Sequence, residues 1–323
     1  MVNFLRLVQN ENMKIYRRVG TLVMIGLLIL AAVGFAAMQK NSDAGSIFGP
    51  VKQQKDWKAG QEKQIAENKK IMKEKGLPED FKDSLKEENA IRQHRIDHDI
   101  PPNHATLWGF MSRTDGITPL VTLLTVIVGA TSVAGEFSWG TIKLLLIRSA
   151  RRSKILLAKY IATLGFAIAM LLLLFLVSLV VGLILYGADG LTSPYLTYTD
   201  GKVVEKNMIG HIFTLYGLKS INLLMMVTFA FMISTVFRSS SVAIGAAIFL
   251  MFAGTTLVGI LAANGQDWAK YLLFANTDLN PYFDGEPLFK GMTLFFSVTV
   301  LAVYFTVFNA ISWIFFNKQD VAS

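Results

Sequence analysis

The sequence predicts an all-α polytopic membrane protein with six transmembrane helices, and two observations support this fold class. The first is composition: 53% of the 323 residues are hydrophobic and only 17% are charged, whereas a soluble domain usually carries about 25% charged residues. The second is patterning, because the apolar residues form six runs, each close to the ~20 residues that cross a bilayer. The predicted spans are Val19–Met38, Gly116–Ala134, Tyr160–Tyr186, Ile221–Phe237, Ser239–Ala263 and Gly291–Asn317.

Basic residues are distributed unevenly around these spans. If the N-terminus lies inside the cell, the inner segments carry 12 Lys and Arg against three acids, and the outer segments carry 19 against 20. Loops rich in Lys and Arg stay on the cytoplasmic side, so we predict a multi-pass plasma-membrane protein with both termini in the cytoplasm. Orientation then explains the net charge of +8, and no nucleic-acid partner is expected.

Residues 1–18 precede the first span and mix apolar with basic side chains. This pattern is typical of a helix that lies in the plane of the membrane interface, against lipid. The alternative is a frayed basic tail. The candidate residues of this N-terminal interface are Glu11, Lys14, Arg17 and Arg18.

Residues 39–115 are highly charged and nearly balanced in sign. One helix is predicted from about Gln53 to Lys75, where Gly76 supplies a stop. A second helix starts at Pro78 and ends before Pro101. The sequence therefore predicts an extracellular helical hairpin between spans one and two, whose thin apolar stripe needs support from another part of the protein.

Two histidines, His94 and His98, are four residues apart on the second arm of this hairpin. Such spacing can place two metal ligands on one helix face. The residues between them do not complete an HExxH motif, and a solvated polar face is the favoured interpretation. No metal site is predicted.

The remaining segments are short connections or outer loops. Arg238 and Ser239 form a tight turn that makes spans four and five antiparallel neighbours. Residues 187–220 are predicted as an outer loop with a short helix at Met208–Leu215. Residues 264–290 form a second outer loop, whose aromatic residues suit a short interfacial or re-entrant helix near Trp268–Phe274.

The segment 135–159, GEFSWGTIKLLLIRSARRSKILLAK, joins spans two and three and carries six cations against Glu136. Its apolar residues share one helical face, so a short amphipathic helix is predicted. The simplest interpretation is a basic loop that only sets orientation.

Three stretches resemble the ABC-2 type transporter permeases. GEFSWGTIKLLLIRSARRSKILLAKY (135–160) is similar to the family's segment between spans two and three, FAFMISTVFRSSSVAIG (229–245) to the turn between spans four and five, and ENMKIYRR (11–18) to its N-terminal interfacial helix. The resemblance implies the permease subunit of a bacterial ABC exporter, in which segment 135–159 is a cytoplasmic coupling helix. Its partners would be an ATP-binding cassette subunit, which holds ATP and Mg, and a second permease chain, identical or related.

The resemblance also suggests which residues contact the partner. The partner-coupling candidates are Glu136, Phe137, Trp139, Ile142, Arg148, Arg151 and Arg152, and Glu136 is expected to pair with Arg148, Arg151 or a basic residue of the partner. Arg238 and Ser239 are candidates at the second turn. The family exports antibiotic peptides, drugs, lipids and polysaccharide precursors, so an amphipathic, peptide, drug or lipid-like substrate is expected.

The chain itself is not expected to be an enzyme or to hold a cofactor. It has no P-loop pattern G-x-x-x-x-G-K-[ST], no cysteine and no G-x-S-x-G pattern. The predicted spans carry charged residues only at their ends, whereas ion-coupled transporters usually keep an ionisable group within the membrane. An intramembrane enzyme is therefore disfavoured, and the alternative function is a non-transporting scaffold or sensor that presents the helical hairpin outside.

Overall fold

Six helical stretches dominate the computed structural model, which describes residues 4–41, 57–74, 76–102, 106–142, 151–187, 191–199, 201–285 and 287–318. Within these ranges, six helical stretches are long and apolar enough to cross a membrane. The predicted all-α class with six spans is confirmed at this level. The stretches are Val19–Gln39, Leu107–Thr131, Arg152–Tyr186, Met208–Val236, Ser240–Ala263 and Leu294–Lys318.

Helices account for nearly all of the regular structure in the described ranges. They are α1 (Phe4–Tyr16), α2 (Val19–Asn41), α3 (Trp57–Ile71), α4 (Glu79–Asp97), α5 (Leu107–Thr114), α6 (Thr118–Thr131), α7 (Ala134–Ser138), α8 (Arg152–Tyr186), α9 (Met208–Val236), α10 (Ser240–Ala263), α11 (Leu273–Asn276), α12 (Pro281–Asp284) and α13 (Leu294–Lys318). Two strands, β1 (Tyr195–Thr199) and β2 (Lys202–Lys206), lie between α8 and α9. The chain divides into two compact units: unit 1 comprises Met1–Ala31, Gly116–Phe175 and Tyr216–Ser323, and unit 2 comprises Ala32–Asp115 and Leu176–Leu215.

Unit 1 is a helical bundle in which small residues let helices approach closely. A Cβ at Gly129 of α6 would lie 3.3 Å from the Ala230 Cβ of α9. Ala243 and Ala247 of α10 are fully buried in the same core. In lipid, helix association depends on such packing rather than on the hydrophobic effect, so the small residues fix how these helices meet.

The segment after α10 contains short helical turns, the 3₁₀ turn Asp267–Tyr271 followed by α11 and α12. Asn276 is buried and its side-chain amide donates to the carbonyls of Lys270 (2.7 Å) and Leu272 (2.9 Å). The Ser297 hydroxyl of α13 donates to Asn276 Oδ1 at 2.7 Å. These bonds satisfy polar groups in a segment whose helical turns are too short to pair them all internally.

Unit 2 contains the predicted helical hairpin, formed by α3 and α4. The helices run antiparallel, because Asn68 Nδ2 donates to Asn89 Oδ1 (3.1 Å) and Arg92 Nη1 donates to Gln61 Oε1 (2.9 Å). Ile65 is buried on α3, as is Leu85 on α4, whereas most other side chains of the hairpin are half-buried or exposed.

The β-hairpin of unit 2 supplies part of the support that the helical hairpin needs. Strands β1 and β2 pair antiparallel, with Thr199 opposite Lys202 and Tyr195 opposite Lys206. His94 Nε2 of α4 lies 3.0 Å from Glu205 Oε1 of β2. The thin apolar stripe is therefore supplemented by a polar contact within the same unit.

Several predicted boundaries differ from the observed helices. The third span is predicted at Tyr160–Tyr186, but α8 begins at Arg152. The loop predicted at 187–220 instead contains the β-hairpin and the start of α9, which runs without interruption from Met208 to Val236. The second membrane stretch extends from Leu107 to Thr131 rather than from Gly116 to Ala134. Gly217 is accommodated because one glycine weakens a helix by only about 1 kcal/mol.

These longer helices also change the distribution of charge. Lys159 and Lys219 are predicted to lie in connections, but they lie within α8 and α9, and Arg113 lies within α5. The observed helices α8 and α9 therefore contain lysines that the prediction assigns to connections. The difference matters most for Lys159, because its side chain forms ion pairs with Glu11 and Glu136.

Candidate functional site

The N-terminal helix α1 presents a buried face that includes an acid. Leu7, Glu11 and Ile15 are its buried residues, spaced four apart so that they form one stripe. Leu5 and Met13 are exposed, which agrees with an amphipathic helix. A carboxylate in a buried stripe needs a partner of opposite charge.

Lys159 supplies that charge from the second turn of α8. Its side chain is 2% exposed, and Nζ donates to Glu11 Oε2 at 2.8 Å and to Glu136 Oε1 at 2.7 Å. One buried ammonium therefore joins two carboxylates that are 125 residues apart in the sequence. We call Glu11, Lys14, Glu136 and Lys159 the ion cluster.

Lys14 completes the ion cluster and balances its charge. Its Nζ lies 2.8 Å from Glu136 Oε1 and 3.1 Å from Glu11 Oε1. Thr141 Oγ1 donates to the second carboxylate oxygen of Glu136. Two cations thus meet two anions, which offsets the large desolvation cost of burying each charge.

The cluster holds Glu136 in its ionised form. Burial by itself would raise the pKa of this carboxyl, but the charge of Lys159 and hydrogen bonds from Lys14, Lys159 and Thr141 lower the pKa to about 2. For Lys14, burial opposes protonation, but the bonds and charges of Glu136 and Glu11 raise its pKa above the ordinary value. Glu136 and Lys14 therefore both stay charged near neutral pH.

Glu136 lies in the short helix α7, which is fixed by contacts with α9. The backbone N–H groups of Val133 and Ala134 both donate to Ser234 Oγ, each at 3.0 Å. At the other end of α7, the Ser138 hydroxyl accepts from the backbone N–H of Ser240 at 2.9 Å. These bonds satisfy helix-terminal amides and bring the turn between α9 and α10 against the segment after α6.

An exposed aromatic residue follows α7 directly. Trp139 is 55% exposed, and the Arg18 guanidinium carbon lies 4.6 Å from the centre of its ring. A Cβ at Gly135 would lie 3.0 Å from Trp139 Cζ3, so the glycine leaves room for the ring. Gly140, with φ of +68°, then adopts a backbone conformation that favours glycine.

The elements joined by these contacts form what we call the basic end of unit 1. It comprises α1, α7, the first two turns of α8, the turn at 237–239 and the C-terminal end of α13. The last of these is joined through Arg152 Nη1, which donates to the Asn317 carbonyl at 3.5 Å. The predicted N-terminal interface and both predicted turns are therefore brought together.

The structure assigns several predicted partner-coupling residues to contacts within this chain. Ile142 is buried with Val133, Ile155 and other residues of one cluster, against which Phe137 packs. Their apolar area is therefore used largely inside unit 1. Glu136 pairs with Lys14 and Lys159 rather than with the predicted Arg151.

Other predicted residues remain accessible. The side chains of Arg17, Arg151, Arg152, Arg238 and Ser239 are exposed. The Arg238 guanidinium carbon lies 5.9 Å from the Phe137 ring centre. Arg148 lies outside the described residues.

Lys159 belongs to a basic loop in the sequence-based prediction, which misses its role as a bridge. One signal does point to such a residue: Glu11 falls on the same stripe as Leu7 and Ile15, where an acid needs a buried cation. The partner itself cannot be identified by local pattern, because the contact spans 148 residues.

His94 of α4 and His98, the residue that follows this helix, do not form a metal-binding group with described neighbours. Their rings are stacked, with centroids 4.0 Å apart, and His98 Nδ1 lies 3.1 Å from the His94 carbonyl. Across the described ranges, no group of three or more His, Cys, Asp or Glu residues is arranged to hold a metal ion. The contact between His94 and Glu205 is an interaction between elements of unit 2.

Comparison with known proteins adds family information. A family model described as "Protein of unknown function (DUF2705)" matches residues 95–322. The uncharacterized protein YhcI of Bacillus subtilis (strain 168) is 45% identical over 322 residues, covering 99% of this chain and all of that protein. The uncharacterized membrane protein YdbK of the same organism is 32% identical over 214 residues, covering 66% of this chain and 82% of that protein. With the six apolar helices, this likeness indicates a multi-pass membrane protein.

Proposed function

This chain belongs to the DUF2705 family, and we propose that it is the transmembrane permease subunit of an ATP-driven ABC-2 type exporter. In this proposal the basic end of unit 1 faces the cytoplasm and contacts a separate ATP-binding subunit. A second permease chain, identical or related, completes the membrane part. The cargo is an amphipathic, peptide, drug or lipid-like molecule that is moved out of the cell.

The observation that carries this proposal is the ion cluster. A permease that is driven by a separate ATP-binding subunit must transmit a movement at its cytoplasmic surface to its membrane helices. Glu11, Glu136 and Lys159 join the N-terminal helix, the segment after α6 and the start of α8 through bonds of 2.7–2.8 Å. Buried, fully paired charges resist separation, because an unpaired one costs several kcal/mol. The three elements are therefore expected to move together.

The repeated return of the chain to the basic end of unit 1 also supports the proposal. Three elements meet the N-terminal helix or its neighbours at the basic end. The start of α8 bonds to α1 through Lys159 and Glu11. The residue after the turn at 237–239 bonds to α7, and the end of α13 bonds to α8. An even number of spans returns the chain to the side from which it started. Lys and Arg concentrate at this end, as expected for cytoplasmic segments.

The test is to isolate the chain with its natural partners. The tagged protein, purified from membranes of its own host in mild detergent, should bring with it a protein that contains a P-loop. The complex, reconstituted in liposomes, should hydrolyse ATP and move a member of an amphipathic substrate panel. ATPase activity should be stimulated by that substrate.

Two results would contradict the proposal. A chain that reproducibly purifies without any P-loop protein would favour the scaffold or sensor function. A complex that contains a single permease chain by mass would contradict the paired assembly. Empty liposomes and a Walker-lysine variant of the partner serve as controls, because both should lack ATP-dependent transport.

A further inference from the structure

A small cavity adjoins the ion cluster in unit 1, between α1, the end of α6 and the start of α8. Its volume is about 10 Å³, which is room for one water-sized group. The side chain of Lys14, which forms part of the wall, is 37% exposed, so the cavity opens towards the surface. Its lining residues are Glu11, Lys14, Ile15, Arg18, Val128, Ser132 and Lys159.

The charges around this cavity do not balance. The ion cluster itself is neutral, because it contains two acids and two lysines. Arg18 lines the same cavity and adds a third cation. Glu136 and Glu11 act on Arg18 through space, but among the described residues no carboxylate forms an ion pair with it. The site therefore carries one positive charge in excess.

Arg18 is held by an aromatic ring rather than by an acid. Its guanidinium carbon lies 4.6 Å from the centre of the Trp139 ring, and its side chain is half-buried. Burial lowers the pKa of this guanidinium, and the charges of Glu136 and Glu11 only partly offset the effect. A guanidinium has five N–H donors, and none of them bonds to an acceptor among the described residues. An anion in the cavity would supply both the missing charge and the missing acceptors.

The cavity lies where the membrane surface is expected. Arg18 directly precedes the first apolar stretch, Val19–Gln39, and the side chains of Val19 and Leu22 are 76% and 60% exposed. In a bilayer these apolar residues meet lipid chains, so Arg18 lies beside the layer of lipid headgroups. Basic pockets between membrane helices at this depth bind anionic headgroups.

We infer that this cavity binds a phosphate group. One phosphoryl oxygen, similar in size to a water molecule, occupies the cavity beside Lys159. The remaining oxygens meet Arg18 and Lys14, since arginine binds phosphate through parallel hydrogen bonds and lysine binds it as a point charge. Glu11 also lines the cavity, but Lys14 and Lys159 neutralise its charge. The phosphate belongs to a lipid of the adjoining leaflet or is free in solution, and the site does not depend on transport or on an ATP-binding partner.

Calorimetric titration of the purified, delipidated full-length chain tests the inference and identifies the source of the phosphate. The probes are phosphatidylglycerol in dodecyl maltoside micelles and inorganic phosphate. Dioleoylglycerol, which has lipid chains but no phosphate, is the control and should not bind. Saturable binding of phosphatidylglycerol alone would identify a lipid headgroup, and binding of inorganic phosphate would show that the phosphate group is sufficient. Binding of neither probe would overturn the inference and leave the cavity to water.

Variants of the site separate specific binding from general attraction to a basic surface. Arg18→Gln should weaken binding by about tenfold, the effect of losing a charge-assisted hydrogen bond. Arg17→Gln is the matched control, because Arg17 is the neighbouring arginine, is exposed and does not line the cavity. Its affinity should stay within about twofold of the wild type. Equal losses in the two variants would overturn the inference.

A second variant keeps every charge and changes only the size of the cavity. Val128→Ile adds one methylene to the wall and should also weaken binding by about tenfold, because the cavity has room for only one water-sized group. This variant decides the question if Arg18→Gln fails to fold, as judged by its thermal midpoint without added phosphate. Unchanged affinity in folded Val128→Ile would show that the phosphate does not enter the cavity, contrary to the inference.

Discussion

Ion pairs in the helical hairpin of unit 2 and in the ion cluster of unit 1 use the same residue types under opposite conditions. In the hairpin, Lys82 pairs with Glu79 at 2.7 Å, but the Glu79 side chain is 75% exposed. In the cluster, Lys159 pairs with Glu136 at the same distance, with side chains that are 2% and 5% exposed. Water screens the first pair and is excluded from the second, so equal geometry predicts unequal consequences.

The two regions should differ most clearly in the side of the membrane that they face. In intact cells, a membrane-impermeant thiol reagent should label Lys70→Cys on the hairpin and spare Ser153→Cys at the basic end. The chain has no cysteine of its own, so each variant reports one site. Both residues are exposed, and both variants should react in lysed cells, which is the control. Labelling of Ser153→Cys alone in intact cells would show that the topology is the opposite of the predicted one.

The next largest effect is expected at Lys159. Lys159→Met removes the buried cation and leaves Glu11 and Glu136 with less neutralising charge, which should lower the free energy of unfolding by about 3–5 kcal/mol. The measurement is the thermal midpoint of the protein in detergent, with abundance in the membrane as a second readout. Lys154→Met is the matched control, because Lys154 lies in the same helix with an exposed side chain. Equal midpoints for the two variants would contradict the role given to the cluster.

Acid should weaken the cluster in a defined pH range. The pKa of Glu136 is lowered to about 2 in the folded protein, below the ~4.3 of an unperturbed glutamate. Its stabilisation is therefore fully present above about pH 4.3 and is lost as the pH falls towards 2. The difference in thermal midpoint between wild type and Glu136→Gln should be large at pH 6 and smaller at pH 3. A difference that does not change with pH would show that the charge of Glu136 contributes nothing.

The smallest effect is expected in the hairpin. Glu79→Gln should change the free energy of unfolding by no more than about 0.5 kcal/mol, since exposed pairs contribute little. Chemical denaturation of the same detergent-solubilised protein, followed by circular dichroism, provides the value. A loss comparable with that of Lys159→Met would remove the distinction between the two regions.

The sequence was sufficient for the six membrane-length helices, because their signal is local. About 20 apolar residues in a row need no knowledge of the rest of the chain. The helical hairpin was predictable for the same reason, since Gly76 marks the end of its first helix and Pro101 the end of its second. Helix boundaries were less accurate: α8 continues through Arg152–Lys159 because nothing in that segment breaks a helix, although its charges suggested a loop.

The β-hairpin has a local signal that the predicted loop at 187–220 misses. Aromatic or β-branched residues lie on both sides of Asp200–Gly201, a pair typical of two-residue hairpin turns; they are Tyr195, Thr197, Tyr198 and Thr199 before it and Val203 and Val204 after it. Gly201 has φ of +79°, as such a turn requires. The flanking Gly and Pro residues favour a loop by composition, and they conceal the strand-forming residues between them.

The ion cluster was only half predictable. Glu11, Lys14 and Glu136 are candidate residues by sequence, but as separate sites with partners elsewhere. Charge complementarity says that a buried acid needs a cation, and it does not say which one. Choosing Lys159 requires the packing of α1, α7 and α8, which no local pattern contains.

Ser234 limits how the joint after the second span can move. Its hydroxyl is fully buried and accepts hydrogen bonds from the backbone N–H groups of Val133 and Ala134, at the start of α7. The joint therefore cannot rotate freely. A pull on this joint passes directly into α9, a rod of 29 residues and about 43 Å at 1.5 Å per residue. Rotation at Val133 would break two hydrogen bonds at once, whereas translation of the whole rod breaks neither. The segment after α6 and α9 are therefore expected to move together for as long as these two bonds stay intact.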